Sequence, residues 1–390
     1  MKQGWEIKKL GDICTIKGRI GFRGYTRNDL VEEGEGAITL SPSNIVNDVI
    51  NFDKCQYISW YKYDESPEIQ IFEGDVIYAK TASIGKVAII KHLPEKATIN
   101  PQFVVFKDIK CNHDFLYYAV RGNGFKEQVS LIINGVAIPT ISQSNMAKLT
   151  IPVPPIAEQE RIVAELDCLS GIIEKKKQQL KELDNLAQSI FYEMFGEHAD
   201  GRDKWKIAKL GNVCKTTSGG TPSKGHPEYY EGGDIPWLRS GEVNKMNIHE
   251  TELFITEEGL NNSSAKWFPK GTVVIAMYGA TVGQVGILCN PMTTNQAICG
   301  IFPNETFTPI YLYHFLLSKK PEYLEIATGG AQANISQNIV RDTVVSCPPL
   351  TLQQDFASKI ESIEKQKELI AQSIKETETL FNSRMDYYFN

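Results

Sequence analysis

The chain has 390 residues, of which 42% are hydrophobic and 10% aromatic, the composition of a folded globular protein that is long enough for two domains. It lacks an apolar run of the ~18 residues that a membrane span requires, and its first residues lack the apolar segment of a signal peptide, so we expect a cytoplasmic protein with no membrane partner. The formal net charge of −6 argues at first against nucleic acid, because non-specific DNA affinity comes from neutralising phosphates.

The distribution of the charge changes that expectation. Acidic residues are missing between positions 12 and 29, 75 and 95, 203 and 228, and 258 and 305, while lysines or arginines remain in all four stretches. These stretches lie at corresponding places in the two halves of the chain. A surface kept clear of acidic groups in this way is typical of a protein that binds a polyanion.

Motifs for catalysis or metal binding do not stand out. The eight cysteines form no CxxC pair and the six histidines no HxxxH or HExxH spacing, so neither a zinc site nor a disulfide framework is indicated. Segments 80–86 and 278–284 look a little like phosphate loops but lack the GxxxxGK[ST] spacing. Residues 100–103 approach the motif with which amino-methyltransferases hold a flipped base, yet no glycine-rich loop for S-adenosylmethionine accompanies them. We predict no catalytic residue, metal ligand or cofactor in this chain.

An internal repeat defines the organisation of the sequence. Matching blocks follow each other in the same order: Trp5–Cys14 with Trp205–Cys214, Gly74–Ala88 with Gly271–Gly286, Thr98–Asn100 with Thr293–Asn295, and Pro154–Pro155 with Pro348–Pro349. Within each repeat, short β-branched or aromatic runs are broken by Gly, Pro, Asn and Asp, which predicts strands of an antiparallel or mixed sheet. Shorter helices are predicted at 113–121, 125–130, 309–318 and 321–327.

Two long helices are predicted, at Ala157–Phe195 and Thr351–Tyr388. In both, apolar residues recur in alternating steps of four and three, which is a heptad seam. The apolar seam residues are Ile162, Leu166, Leu169, Ile173, Leu180, Leu183, Ile190, Phe356, Ile360, Ile363, Ile370 and Ile374. Polar residues such as Lys176 and Lys367 interrupt the seams, where a polar group costs stability but can fix register. Each helix needs a partner of its own length, and we expect the two to pack together.

The resulting fold class is α+β, with two repeated mixed α/β domains and two long helices. The predicted boundaries are 1–155 for the first domain, 156–198 for the central helix, 202–349 for the second domain and 350–390 for the C-terminal helix.

With the exception of Arg239, the candidates for DNA contact lie in loops within the acid-free stretches. Their side chains reach phosphate oxygens and base edges, and interspersed small residues would let a loop enter a groove. The candidates are Lys17, Arg19, Arg23, Tyr25, Lys80, Thr81 and Lys86 in the first repeat, and Ser218, Thr221, Lys224, Arg239, Tyr278 and Gln284 in the second. For the two glycine-rich loops, Gly18–Gly24 and Ser218–Pro222, an ordinary turn is the alternative interpretation of either loop taken alone.

Taken jointly, several motifs resemble one family, the DNA-specificity subunit of type I restriction-modification enzymes. They include the Trp-x-Ile-x-Lys-Leu-Gly start of both repeats, Ser218–Pro222 with Gly233–Trp237, the Asn295–Gln296 block, and Ile151–Gln159 leading into the central helix. The second helix entry, Ser346–Gln354, departs from the Glu-Gln form of the first.

The resemblance implies that each globular domain is a target-recognition domain for one half of a bipartite double-stranded DNA site. It also implies that the helices pack antiparallel as a spacer on which two methyltransferase subunits assemble, that S-adenosylmethionine binds to those subunits, and that restriction subunits join the complex. The chain itself would perform no chemistry. Two other interpretations stay open: a two-module scaffold that binds proteins, and a self-contained DNA methyltransferase.

Overall fold

The computed structural model describes residues 4–19, 21–133, 139–328 and 334–390, apart from the side chain of Phe22. The chain forms two compact units, each of which takes part of both long helices. Unit 1 consists of Met1–Lys177 and Gln372–Asn390, and unit 2 consists of Gln178–Ala371. The predicted α+β class, with two repeated domains and two long helices, is confirmed. Among the described residues, no helix is both long and apolar enough to span a membrane.

The first repeat consists mostly of short strands, with a few short helices, and ends in the long helix α6. In chain order they are β1 (Glu6–Lys9), α1 (Leu10–Ile13), β2 (Thr15–Lys17), β3 (Leu30–Val31), β4 (Gly36–Leu40), β5 (Ile45–Val46), β6 (Val49–Ile50), β7 (Gln56–Ser59), α2 (Trp60–Asp64), β8 (Gln70–Ile71), β9 (Val76–Ala79), β10 (Val87–Ile89), β11 (Ala97–Ile99), β12 (Phe103–Lys107), α3 (His113–Ala119), α4 (Asn123–Ile133), α5 (Gln143–Met146), β13 (Thr150–Val153) and α6 (Ile156–Phe195).

The second repeat follows a similar order. Its elements are β14 (Lys206–Lys209), α7 (Leu210–Val213), β15 (Thr216–Ser218), β16 (Ile235–Leu238), β17 (Asn247–Ile248), β18 (Phe254–Ile255), α8 (Glu257–Asn261), β19 (Trp267–Phe268), β20 (Val273–Ala276), β21 (Val285–Leu288), β22 (Met292–Thr294), β23 (Ile298–Ile301), α9 (Pro309–Ser318), α10 (Lys320–Thr328), α11 (Gln337–Asp342), β24 (Val344–Cys347) and α12 (Leu350–Phe389).

Each unit contains two larger sheets, and each sheet shares four strands in the same order with its counterpart in the other unit. In unit 1 an antiparallel sheet has the order β10-β9-β12-β2, and a mixed sheet has the order β3-β7-β4-β11-β8, in which β4 and β11 are parallel. In unit 2 the corresponding orders are β17-β21-β20-β23-β15 and β18-β16-β22-β19, with β16 and β22 parallel. The repeat seen in the sequence is therefore a repeat of topology.

Strand β9 shows how the cores of unit 1 are arranged. Every residue of the strand is buried, and alternate side chains point to opposite faces of a sheet. Val76 and Tyr78 face a core formed with the helices, whereas Ile77 and Ala79 face a core shared with the mixed sheet. The antiparallel sheet is thus the middle layer of the unit. Strand β20 divides its side chains between two cores of unit 2 in the same way.

Within unit 1, the segments of α6 and α12 run antiparallel. The Arg161 guanidinium donates to the Tyr388 hydroxyl at 3.1 Å, and further along α6 the Lys176 ammonium donates to the Ser373 hydroxyl. The residue number on α12 falls as that on α6 rises, which defines the direction. The α12 residues Met385, Tyr388 and Phe389 complete the helix-side core of this unit.

Within unit 2, the same direction holds. Lys367 pairs with Asp184 at 2.7 Å, and the rings of Phe356 and Phe191 lie 5.7 Å apart. The predicted antiparallel packing of the long helices is confirmed in both units. All of the predicted apolar seam residues are buried or half-buried. Their burial explains why apolar residues recur along the helices at this spacing.

A buried glutamine anchors the start of each long helix. The Gln159 Oε1 accepts from the backbone N–H of Asn112 at 2.8 Å, and its Nε2 donates to the Pro154 carbonyl at 2.7 Å. Gln353 makes the matching contacts in unit 2, to the N–H of Thr308 and the carbonyl of Pro348, both at 2.9 Å. The departure of the second helix entry from the Glu-Gln form therefore leaves this anchor intact.

Candidate nucleic-acid interface

The candidate loops of unit 1 leave the same end of the antiparallel sheet. Strand β12 lies between β2 and β9, and the register places Lys17 opposite Val105 and Val105 opposite Ile77. The outer two strands run in the same direction, so the loops that follow Lys17 and Ala79 start side by side. With ~4.8 Å between neighbouring strands, their starting points are ~10 Å apart. That spacing compares with a major groove about 12 Å wide.

Unit 2 repeats this arrangement. Thr217 lies opposite Gly300, and Gly300 lies opposite Val274, so the loops after β15 and β20 also begin side by side. We call this end of the sheet, in either unit, the loop end. The turn before β12 or β23 is at the same end, because those strands run in the opposite direction.

The arginines of the first loop of unit 1 turn inward. Arg19 is only 5% exposed, its guanidinium donates to the Thr98 hydroxyl at 3.5 Å, and it lies 5.2 Å from the centre of the Tyr25 ring. Burial lowers the pKa of this guanidinium. Arg23 pairs with Glu68 at 3.4 Å. The sequence predicts that Arg19 contacts DNA, whereas the structure gives it almost no surface and places it as a packing residue over the mixed sheet.

The second loop of unit 1 is fixed by its own lysine. The Lys86 ammonium donates to the carbonyl oxygens of Pro42 and Ile45 at 2.9 and 3.2 Å, which ties the loop to the turn after β4. Lys80 is half-buried, and this burial lowers the pKa of its ammonium. The Thr81 hydroxyl accepts from that of Thr140 at 3.2 Å. Lys17 is exposed at the loop end.

In unit 2, three candidates lie at the loop end with different surroundings. The Ser218 hydroxyl donates to Gln337 Oε1 at 3.0 Å, so it is already engaged. Tyr278 is 41% exposed, and Gln284 is half-buried in the same loop. Tyr278 is thus the most open of the three.

Thr221, Lys224 and Arg239 come together in a cleft of about 390 Å³ on unit 2. The other residues that line it are Tyr230, Trp237, Leu253, Asn295 and Gln296. Trp237 forms the floor: it is 4% exposed, and its indole N–H donates to the Gly220 carbonyl at 2.9 Å. The Thr221 hydroxyl donates to Gln296 Oε1 across the cleft.

The charges around the cleft are largely balanced. The Arg239 guanidinium lies between Glu242, at 3.2 Å, and Glu252, at 2.6 Å. Lys224 is exposed, and its ammonium has no ion-pair partner in the part of the chain that the structure describes. The cleft therefore combines one available cation with hydroxyl, amide and aromatic groups.

Sequence reasoning missed the aromatic and amide members of this cleft. Trp237, Asn295 and Gln296 all lie in blocks that the sequence singles out. In a sequence, however, a residue that lines a cleft looks the same as a buried strand residue or a residue of an ordinary turn. The signal that could have found them is the placement of a polar Asn-Gln pair between two buried strands, β22 and β23. Within the described ranges, no group of three or more His, Cys, Asp or Glu side chains is arranged to hold a metal ion.

Comparison with known proteins links both repeats to one family. The model of the type I restriction modification DNA specificity domain matches residues 2–185 and again residues 202–379. Over 258 residues the chain is 26% identical to the specificity subunit of the Escherichia coli type I restriction enzyme EcoR124I/EcoR124II, covering 64% of this chain and 63% of that subunit, which is less than two thirds of its length. It is 28% identical over 444 residues to the HindI specificity subunit of Haemophilus influenzae, covering 92% and 93% of the two chains.

Two solved structures share the fold. One is a chain from a study of the structural basis underlying complex assembly and conformational transition of the type I R-M system. It has a TM-score of 0.63 and 21% identity, and the match covers 100% of this chain and 98% of that chain. The type I restriction-modification S subunit from M. genitalium has a TM-score of 0.56 and 14% identity, with 99% and 96% covered. At these identities the structures support the fold alone.

Proposed function

Because the chain belongs to the family of type I restriction-modification DNA specificity domains, we propose that each of its two domains reads one half of a bipartite DNA sequence. The observation that carries this proposal is the loop end that recurs in both units. The scaffold that presents the loops is the same, while the side chains on them differ. A fixed frame with variable tips is what two readers of different sequences require.

The chain acts in this proposal as a non-catalytic subunit. Two methyltransferase subunits, which bind S-adenosylmethionine, dock on it and modify the DNA that it selects, and restriction subunits complete the assembly. The support is the relatives, which are named as specificity subunits of type I restriction enzymes. The cytoplasm is the compartment where such a complex meets DNA.

We further propose that the two long helices set the unread gap between the half-sites. Support comes from their matched lengths, Ile156–Phe195 and Leu350–Phe389, and from the antiparallel seam in each unit. Helix length would then act as a ruler, because a helix rises a fixed ~1.5 Å per residue.

Domain exchange tests the first proposal. Residues 202–348 are replaced by the matching segment of a relative, the hybrid is expressed with the cognate methyltransferase subunit, and the methylome of the host is sequenced. We expect one half of the methylated sequence to change and the other half to stay the same. A change in both halves, or the loss of a bipartite pattern from a folded hybrid, would contradict independent reading by the two domains.

Lengthening both helices tests the ruler. One heptad added to each helix keeps the seams matched and adds ~10.5 Å, which corresponds to about three base pairs at ~3.4 Å per pair. We expect a gap longer by one to three base pairs, weaker binding and unchanged half-sequences. An unchanged gap from a stably folded insertion variant would show that the helices do not set it.

A further inference from the structure

We propose that the cleft of unit 2 binds a single nucleobase that has been taken out of the DNA stack. This inference rests on the proposed function, since it assigns one contact within the half-site that unit 2 reads. The first reason is shape. A loop that reads base edges must enter a groove, whereas the surface lined by Thr221, Trp237 and Gln296 is concave and about 390 Å³ in volume. Part of the DNA must therefore enter the protein.

The second reason is charge. Two cations, Lys224 and Arg239, line the cleft, but Glu242 and Glu252 both contact the Arg239 guanidinium. A phosphate in the cleft would meet these two carboxylates and a single cation, Lys224, that has no ion-pair partner among the described residues. A nucleobase is neutral and gains from aromatic surface, which the half-buried Tyr230 ring offers, 5.9 Å from the ring of the buried Trp237.

The third reason is the hydrogen-bonding chemistry of the amide pair. Because Gln296 Oε1 accepts from the Thr221 hydroxyl, the Gln296 amide is oriented with its N–H₂ group available to an acceptor on a base. Asn295 also lines the cleft, and its buried Oδ1 has no donor among the described residues. A base edge carries both kinds of group, ring or carbonyl acceptors and amine donors.

The equivalent amide in unit 1 is used internally. Asn100 occupies the place of Asn295, since the N–H of each donates at 2.9 Å to the last residue of the neighbouring strand, Leu40 or Leu238. The Asn100 Oδ1 accepts from the Gln102 N–H at 2.9 Å, and its Nδ2 donates to Gln102 Oε1 at 3.0 Å. Unit 1 therefore supplies a donor to the amide oxygen that unit 2 leaves without one among the described residues.

A mismatch scan tests the proposal on the complex with the methyltransferase subunits. Duplexes carry the mapped site with one mismatch at a time in the half read by unit 2, changed on the strand opposite the base under test, and the methylated position is left out. Taking a base out of the stack is easier when its pair is mismatched. We expect binding about tenfold tighter at one position and equal or weaker binding at the others.

Two variants make the scan specific to the cleft. Leu253→Trp places a bulky ring at the rim, where Leu253 is 38% exposed, and we expect it to abolish the tighter binding. Leu324→Trp is the control, because Leu324 is 40% exposed but does not line the cleft. Gln296→Ala removes the proposed donor without adding bulk, and we expect it to reduce the tightening by at least threefold while the rest of the scan is unchanged.

The outcomes separate the proposal from its premise. Sequence-selective binding with no position of tighter binding, or tightening that survives Leu253→Trp in a folded protein, would overturn the base-binding cleft and leave DNA recognition intact. Loss of all sequence selectivity in the unmodified complex would overturn both. Calorimetry with adenosine and guanosine monophosphates tests the other source of a base: micromolar binding blocked by Leu253→Trp, without any tightening in the scan, would assign the cleft to a free nucleotide.

Discussion

Units 1 and 2 fill the same place in their folds in opposite ways. In unit 1, Thr39 lies on the mixed sheet beside Thr98, and the loop residue Arg19 donates a hydrogen bond to the Thr98 hydroxyl. In unit 2, Trp237 lies on the sheet beside Thr293, and the matching loop position is Gly219. In unit 1 the large side chain at this place comes from the loop, as Arg19, and in unit 2 it comes from the strand, as Trp237.

The glycine pair of unit 2 makes this exchange possible. A Cβ on Gly219 would lie 2.1 Å from the Thr294 carbonyl oxygen, and one on Gly220 would lie 2.2 Å from the Ser264 backbone. Only glycine allows the loop to pass this close. The close path brings the Gly220 carbonyl to the indole N–H of Trp237. The comparison shows how a single scaffold can carry either a covered sheet or a cleft, depending on which element supplies the large side chain.

The test with the largest expected effect replaces the two strand residues: Trp237 by a smaller residue and Thr39 by an apolar one. Trp237→Ala removes a buried indole and should destabilise unit 2 by about 3–5 kcal/mol. Thr39→Val should leave unit 1 unchanged or up to about 1 kcal/mol more stable, because the buried Thr39 hydroxyl has no hydrogen-bond partner among the described residues. Hydrogen exchange resolved by mass spectrometry measures each unit separately. Equal losses in both units would contradict the different roles assigned to these strands.

A second difference between the units concerns their stability at acidic pH. His314 of α9 corresponds to Tyr118 of α3, since each lies six residues after the capping residue of its helix. His314 is 8% exposed, and burial, helped by Lys367 and opposed by Asp184, lowers its pKa to about 4. As the pH falls below 6.5, the His314 imidazole therefore becomes protonated in the unfolded chain before it does in the folded chain. The contribution of neutral His314 to the stability of the folded state is fully present above pH 6.5 and is lost as the pH falls toward 4.

We expect unit 2 to lose about 2 kcal/mol between pH 7 and pH 5 from this one group. His314→Phe should remove that loss, and unit 1, with Tyr118 hydrogen-bonded to Asp167 at 2.6 Å, should show none of it. Urea titrations at pH 7 and pH 5, read by hydrogen exchange, provide the measurement. A histidine variant that kept the full pH dependence would show that other groups cause it.

Matched glycines provide a smaller test. Gly85 and Gly283 lie within the candidate loops of the two units with φ of +93° and +77°, where a side chain is strained. Alanine should cost about 1–2 kcal/mol at either position. Position 283 should lose slightly more, because the new Cβ would lie 2.8 Å from Lys320 Cγ. Gly171→Ala, within α6 and open on all sides, is the control and should stabilise the protein by up to ~1 kcal/mol.

The smallest expected effect concerns DNA affinity at Arg19. Because this guanidinium is buried, Arg19→Met should change the affinity of the complex by less than about twofold and leave its salt dependence unaltered. Lys224→Met removes an available cation and should lower affinity for all sequences and reduce the salt slope by about 1. Titrations at several salt concentrations compare the two. An equal fall in slope for both variants would restore Arg19 as a DNA contact.

The sequence by itself determined the features that depend on local pattern. A heptad seam such as Ile162 to Ile190 predicts a long helix that needs a partner, and the recurrence of Trp5–Cys14 at Trp205–Cys214 predicts two copies of one domain. Helical periodicity is a property of neighbouring residues, so it can be read without knowing the fold. The four-three spacing was enough to name apolar residues that the structure buries or half-buries.

The tertiary structure decided which distant residues meet. The loops after β2 and β9 share one end of a sheet only because β12 pairs between them, and that register joins segments far apart in the chain. Arg19 and Lys224 both belong to acid-free loops, yet one is buried and the other is exposed. A charge pattern records which groups a loop carries, but the burial of a group depends on the residues that pack against it, as Thr98 and Tyr25 do against Arg19. That choice is made by packing between strands, and no local pattern contains it.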